Sequence, residues 1–183
     1  MRLYRQTVED FGLYPGMELT DERLEKLRED AGAIGAKMRA VRIVAASSVS
    51  KRDLEQRLIH KGEDPNQAKE AVEWMADLNL VDDRQTAAQL VARCAAKGYG
   101  KARAKQMLYE KQIPKEFWEE ALEDYPDQTD YILKFLRSKL TDPNDPRQAR
   151  KAIDALMRRG HSYGQVHKAL SELGSDEEFL EER

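Results

Sequence analysis

Leu54-Glu55-Gln56-Arg57-Leu58-Ile59-His60-Lys61-Gly62, Ala104-Lys105-Gln106-Met107-Leu108-Tyr109-Glu110-Lys111-Gln112 and Ala152-Ile153-Asp154-Ala155-Leu156-Met157-Arg158-Arg159-Gly160 are three versions of one sentence. Leu58, Leu108 and Leu156 stand in register at lags of 50 and 48 residues, and a base follows three residues later each time, as Lys61, Lys111 and Arg159. Ten residues beyond Gly62, Gln112 and Gly160 come Val72, Leu122 and Leu170, each preceded by an alanine. A period of this length belongs to arrays of helical repeats, in which each unit buries its apolar face against a neighbour.

Working outward, the apolar spacing inside each copy is helical. Leu54 and Leu58, then Ala68, Val72 and Met75, recur at the i, i+4 and i+7 positions of one helix face, and Ile153, Leu156 and Met157 at i, i+3 and i+4. Asp64-Pro65-Asn66-Gln67 and Asp145-Pro146-Arg147-Gln148 each place Asp at the N-cap, Pro at the first helical position and a Gln able to reach back to the N-cap amide. Ser50-Lys51-Arg52-Asp53 and Ser162-Tyr163-Gly164-Gln165 are weaker forms of the same signal, and Asp82 with Gln85 makes another capping box. A further helix precedes each pair, over about 36–46, 85–97 and 129–140. Ahead of the repeats, 2–8 alternates weakly and predicts a short strand or extended arm, and Thr20-Asp21-Glu22 opens a short helix. The expected fold is all-α: three tandem three-helix repeats in an elongated array, with a short N-terminal extension. The boundaries read as 1–33 for the extension, 34–83, 84–126 and 127–173 for the repeats, and 174–183 for an acidic tail.

Composition excludes several classes of function. The chain of 183 residues is long enough for a buried core, and its single cysteine, Cys94, rules out an internal disulfide and a multi-thiolate zinc site. Its apolar runs fall far short of the roughly 20 residues that span a bilayer. Met1-Arg2-Leu3-Tyr4-Arg5 has no apolar stretch behind its charges, so no signal peptide and a cytoplasmic location are expected. The net charge of −3 conceals blocks: −3 over 1–30, +5 over 37–111, −6 over 112–130, +5 over 131–160 and −4 over 174–183. Such blocks set up local fields that the total does not reveal.

No converging set of catalytic groups is found, and neither a metal site nor a cofactor is expected. His60, His161 and His167 read as surface histidines, and Cys94, on the apolar side with Leu90 and Val91, reads as a buried structural thiol. Lys97-Gly98-Tyr99-Gly100-Lys101 lacks the Gly-Lys-Ser/Thr ending of a phosphate loop. It is still the best functional candidate. Arg93, Lys97, Lys101, Arg103, Lys105 and Lys111 put six bases into nineteen residues against one acid, Glu110, with Tyr99 interleaved. Bases beside an aromatic in a glycine-flexed loop suit a phosphate backbone or an acidic protein surface, and equally a helix turn with solvated lysines. Arg150, Lys151, Arg158 and Arg159 form a smaller cluster, and Arg52 and Arg57 are the corresponding bases of the first repeat. Trp74 and Trp118 read as packing between repeats rather than as stacking platforms.

The run Ser50-Lys51-Arg52-Asp53-Leu54 through Lys61-Gly62, then Leu78-Asn79-Leu80-Val81-Asp82-Asp83, then Lys97-Gly98-Tyr99-Gly100 through Lys111-Gln112-Ile113, resembles the RecX regulators of the RecA recombinase. The resemblance runs from Gly12 and Gly16-Met17-Glu18-Leu19 through Gly160 to Leu170. Gln112 departs from the glycine usual at its position, and Thr86 from a common aromatic. The resemblance implies a small helical protein, not an enzyme, that binds RecA filaments as a monomer, restrains ATP hydrolysis and strand exchange in homologous recombination, DNA repair and the SOS response, and has weak affinity for single- or double-stranded DNA. The rival reading is a helical protein that acts directly on nucleic acid, against which stands a pI near 5.8.

Overall fold

The computed structural model describes residues 3–142 and 145–173, so the acidic tail and Arg2 lie outside the described residues. Every regular element among the described residues is helical, and the chain divides into two compact units, one up to Thr86 and one from Ala87 onward.

The first unit opens with α1 (Arg5–Asp10) where a strand or arm is expected. No described strand is present to pair with it, so the backbone closes its own hydrogen bonds, and Arg5 with Glu9 and Gln6 with Asp10 link side chains four residues apart at 2.8 and 2.9 Å. The helix begun at Thr20 is not short. Thr20 caps α2 (Asp21–Ala46), which runs unbroken for 26 residues and absorbs the helix expected at 36–46, so no structural break falls at 33/34. α3 (Lys51–His60) and α4 (Pro65–Asp77) pack against it. Ala36, Ala40, Leu54, Leu58, Ala68 and Met75 are buried together, and each fully buried leucine contributes roughly 1.5–3 kcal/mol of transfer free energy. Ser50 Oγ accepts from Asp53 N, and Asp64 Oδ1 from the amides of Asn66 and Gln67. The Gln67 side chain does not reach back. It donates to Glu29 O at 3.0 Å, against the face where Gly32 leaves room.

α5 (Asp83–Ala96) starts at the end of the first unit, with Asp82 Oδ1 accepting from Gln85 N, and continues into the second. The second unit holds α6 (Lys101–Glu110), a 3-10 turn (Lys115–Phe117) leading into α7 (Trp118–Leu122), α8 (Thr129–Lys139), α9 (Pro146–Arg158) and α10 (Tyr163–Glu172). Its two cores centre on Leu90, Cys94 and Leu108, and on Ile132, Leu136, Leu156 and Val166. Backbone amides hold the Asp145 carboxylate below its usual range, that of Arg147 foremost. At α10 the full capping box forms: Ser162 Oγ accepts from Gln165 N while Gln165 Oε1 accepts from Ser162 N.

The repeated leucine has a backbone role as well as a core one. The amides of Glu63, Ile113 and His161 donate to the carbonyls of Leu58, Leu108 and Leu156 at 3.1, 3.0 and 3.2 Å, and those of Gly62, Gln112 and Gly160 to the next residue's carbonyl at 2.9 Å each. This is the Schellman closure of a helix C-terminus. It needs a left-handed residue at one place, filled by Gly62 at φ 89°, Gly160 at φ 86° and Gln112 at φ 54°. The base just before, Lys61, Lys111 or Arg159, stands where the carbonyl end of the helix favours a cation.

Candidate functional site

The glycine-flexed turn between α5 and α6 is a joint. Gly100 N donates to Arg159 O at 2.9 Å and Ala102 N to Gly160 O at 3.3 Å, so the turn after α5 lies against the turn after α9. A Cβ on Gly100 would collide with the Gly160 carbonyl, and one on Gly160 with the backbone of Arg103. The Arg159 guanidinium lies 5.1 Å from the Tyr99 ring centroid, 5.3 Å from Tyr131 and 6.0 Å from Phe135, and donates to Lys97 O at 3.3 Å. Arg159 and Tyr99, both candidate binding residues, are thus brought together and turned on each other. Tyr125 braces the turn by donating its hydroxyl to Tyr99 O at 2.7 Å; burial and Cys94 push that phenol up to about 12.

His161 is not a surface histidine. It is 2% exposed, stacks on Tyr131 at 6.0 Å, and its Nε2 lies 3.0 Å from Gly98 O. A carbonyl only accepts, so Nε2 carries the proton and Nδ1, buried without a hydrogen-bond partner, is bare. Burial and the Arg159 charge hold its pKa below the ordinary value, against the pull of the Gly98 bond. His60 is exposed and His167 half-buried. Cys94 is buried as expected; burial pushes its thiol up, opposed by Arg103 and Lys97. Trp118 donates to Ile113 O at 3.0 Å and Trp74 packs on the first core under Lys37. Each tryptophan therefore packs within its own repeat.

The remaining second-repeat bases divide. Arg93, Lys97, Lys101 and Lys105 are exposed; Arg103 is paired with Glu110 at 3.2 Å and Lys111 is half-buried at the end of α6. Lys101 and Lys105, one helical turn apart, line an open groove of about 820 Å³ opposite Glu116, Glu119, Glu120 and Glu123, with Trp118 and Leu122 in its wall. Acids of the block 112–130 thus share one groove with Lys101 and Lys105, which precede them in sequence. On α9, Arg150, Lys151 and Arg158 are exposed, opposite the buried face of Ala149, Ala152 and Leu156.

In the first unit Arg52 is exposed on α3, while Arg57 belongs to a groove of about 480 Å³ lined also by Arg39, Arg42, Ile43, Ala46, Ser47 and Lys61. Glu63 fixes Arg39 at 2.6 Å, and Arg39 donates to Lys61 O at 3.0 Å. Asp53 fixes Arg57 at 2.8 Å, and Arg57 donates to Ser47 Oγ at 3.4 Å. Arg39 and Arg42 lie outside the sequence-derived candidates. Their i, i+3 spacing puts them on one face of α2, but that this face meets Arg57 and Lys61 is a tertiary fact.

Among the described residues no group of acids, histidines and cysteine could hold a metal ion, and no helix is long and apolar enough to cross a membrane. Residues 82–122 match the family model described as RecX, second three-helix domain. The chain is 25% identical over 183 residues to the regulatory protein RecX of Clostridioides difficile (strain 630), covering 97% of this chain and 86% of that one. It is 30% identical over 134 residues to the RecX of Xanthomonas campestris pv. campestris (strain B100), covering 72% and 83% respectively. A crystal structure of regulatory protein RecX superposes with a TM-score of 0.71 at 17% identity, over 93% of this chain and 86% of that one. The crystal structure of RecX from Lactobacillus salivarius gives 0.68 at 19% identity, over 78% and 97%. With the leucine-centred helix triplets and these relatives agreeing along most of its length, the chain belongs to the RecX family of regulatory proteins.

Proposed function

We propose that the protein binds filaments of the RecA recombinase, as a monomer in the cytoplasm, and lowers their ATP turnover and strand exchange by occupancy. Family membership supports a regulatory role. The observation that carries the partner class is the arrangement of charge in the second repeat: Lys101 and Lys105 face Glu116, Glu119, Glu120 and Glu123 across one groove. A surface of interleaved sign suits a protein partner of complementary pattern better than a uniformly anionic strand. Catalysis has no place in this reading, since regulation by occupancy needs no bond made or broken.

Salt separates this from direct action on nucleic acid. A protein held on a single strand through about five phosphates shows a slope of log affinity against log salt near −3.5, so that going from about 50 to 200 mM salt costs roughly a hundredfold. Apolar packing at a protein interface is not screened. The expected result is weak, steeply salt-dependent binding to bare strands, tighter and shallower binding to RecA-coated strands with a non-hydrolysed nucleotide, and reduced ATP turnover. Equal affinity for bare and coated strands with turnover untouched would leave the nucleic-acid reading standing.

A further inference from the structure

The groove of the first unit gathers four cations, Arg39, Arg42, Arg57 and Lys61, around a small apolar floor of Ile43 and Ala46. Two carboxylates stand behind it, and each is engaged: Glu63 holds Arg39 and Asp53 holds Arg57. Arg42 and Lys61 are exposed and have no ion pair among the described residues, so the groove carries a formal surplus of two positive charges. The groove lies beside the last turns of α2, whose carbonyl end amounts to about half a negative charge. One cation would satisfy that end, and four are present.

The two arginines are anchored from behind, and this is how a guanidinium is set before its ligand arrives. A fork already held by a carboxylate and a backbone or hydroxyl oxygen loses less freedom when its remaining N–H groups bind an oxyanion. The lining side chains are donors almost throughout: Ser47 Oγ is their one acceptor, and it already takes a bond from Arg57. An acidic peptide would bring carboxylates spaced by amide-bearing backbone, for which the lining offers a single side-chain acceptor. A sugar-phosphate backbone is the opposite case, carrying acceptors and apolar sugar faces. The groove is open rather than enclosed, which fits a passing strand and not a small molecule that must bury most of its surface.

We propose that this groove between the C-terminal half of α2 and α3 binds phosphodiester groups of a nucleic-acid strand, with Arg39 and Arg57 as fixed forks and Arg42 and Lys61 as the neutralising charges. The site is independent of the filament reading, and its test uses no RecA.

The test is fluorescence anisotropy of a labelled oligo-dT of about 20 nucleotides with the full chain, between about 50 and 200 mM salt. R42E/K61E and R42A/K61A are compared with the unaltered protein, and helicity is checked by circular dichroism. Both residues are exposed, so helicity is expected to stay unchanged. Losing two phosphate contacts should weaken binding about tenfold or more at the lower salt and make the slope shallower by about 1.4, while R42K retains binding. Unchanged affinity and slope in both double variants, or no binding of the strand by the unaltered protein, would overturn the site. Displacement by poly-glutamate as effective as by unlabelled oligo-dT would overturn it in favour of an acidic protein partner. Displacement by submillimolar inorganic phosphate at constant ionic strength would overturn the strand in favour of a small phosphate ligand.

Discussion

Protonating His161 would put a second cation beside Arg159 and charge an Nδ1 that has no acceptor within its buried surroundings. The folded pKa therefore lies below the unfolded value near 6.5, and the neutral ring's contribution to stability is complete above that value and fades as pH falls through the folded one. The urea midpoint should drop between pH 7 and 5 more steeply in the unaltered protein than in H161Q; parallel pH profiles would exclude His161 as the cause. Gln112 shows the opposite kind of residue effect. It holds φ 54° at the position where the other two repeats have glycine, and a side chain in the left-handed region costs about 1–2 kcal/mol against glycine's greater loss of freedom on folding. Q112G should gain about 0.5–1 kcal/mol in chemical denaturation, and a loss of stability would show that the side chain's own contacts outweigh the backbone.

At the level of elements, α2 joins the short helix expected at Thr20 to the one expected over about 36–46, running straight through Gly32 and Gly35. Without proline between Asp21 and Ala46 the hydrogen-bond ladder is never forced open, and the glycines only weaken it. A Cβ at Gly35 would meet nothing within 4 Å. G35A should accordingly stabilise the first unit by about 0.5–1 kcal/mol, measured by thermal or urea unfolding, and destabilisation would reveal a contact that needs the bare backbone. α3, α4, α9 and α10 were legible because their signals are local: Asp-Pro or Ser caps where they begin, and the leucine, base and glycine where α3 and α9 end. The N-terminal helix was not, since six residues of mixed propensity turn on which hydrogen bonds the rest of the chain leaves open. The candidate site was legible only in part. Exposure of Lys97, Lys101, Lys105, Lys151 and Arg158 agrees with solvated bases, but Arg159 and His161 are drawn inward by Gly98, Tyr99 and Tyr131, from helices remote in sequence. Arg39 meets Arg57 in the same hidden way.

For the molecule as a whole, folding leaves some bases exposed and uses others. Lys101 and Lys105 remain exposed at the amide end of α6, where acids are tolerated, so K101E/K105E should keep its helicity. On the filament reading it should bind RecA-coated strands roughly tenfold more weakly in a cosedimentation assay, charge reversal at an interface rim acting mainly through encounter. Unchanged affinity with unchanged helicity would move the contact to the α9 face of Lys151 and Arg158. One further property follows from Cys94, the only thiol in the sequence, buried against Leu90, Val91 and Leu108. A disulfide reagent can reach that sulfur only when the second repeat opens. The protein therefore contains its own clock: the rate at which an aromatic disulfide releases its coloured thiolate, with and without a bound filament, times the breathing of that repeat with no substitution and no added dye.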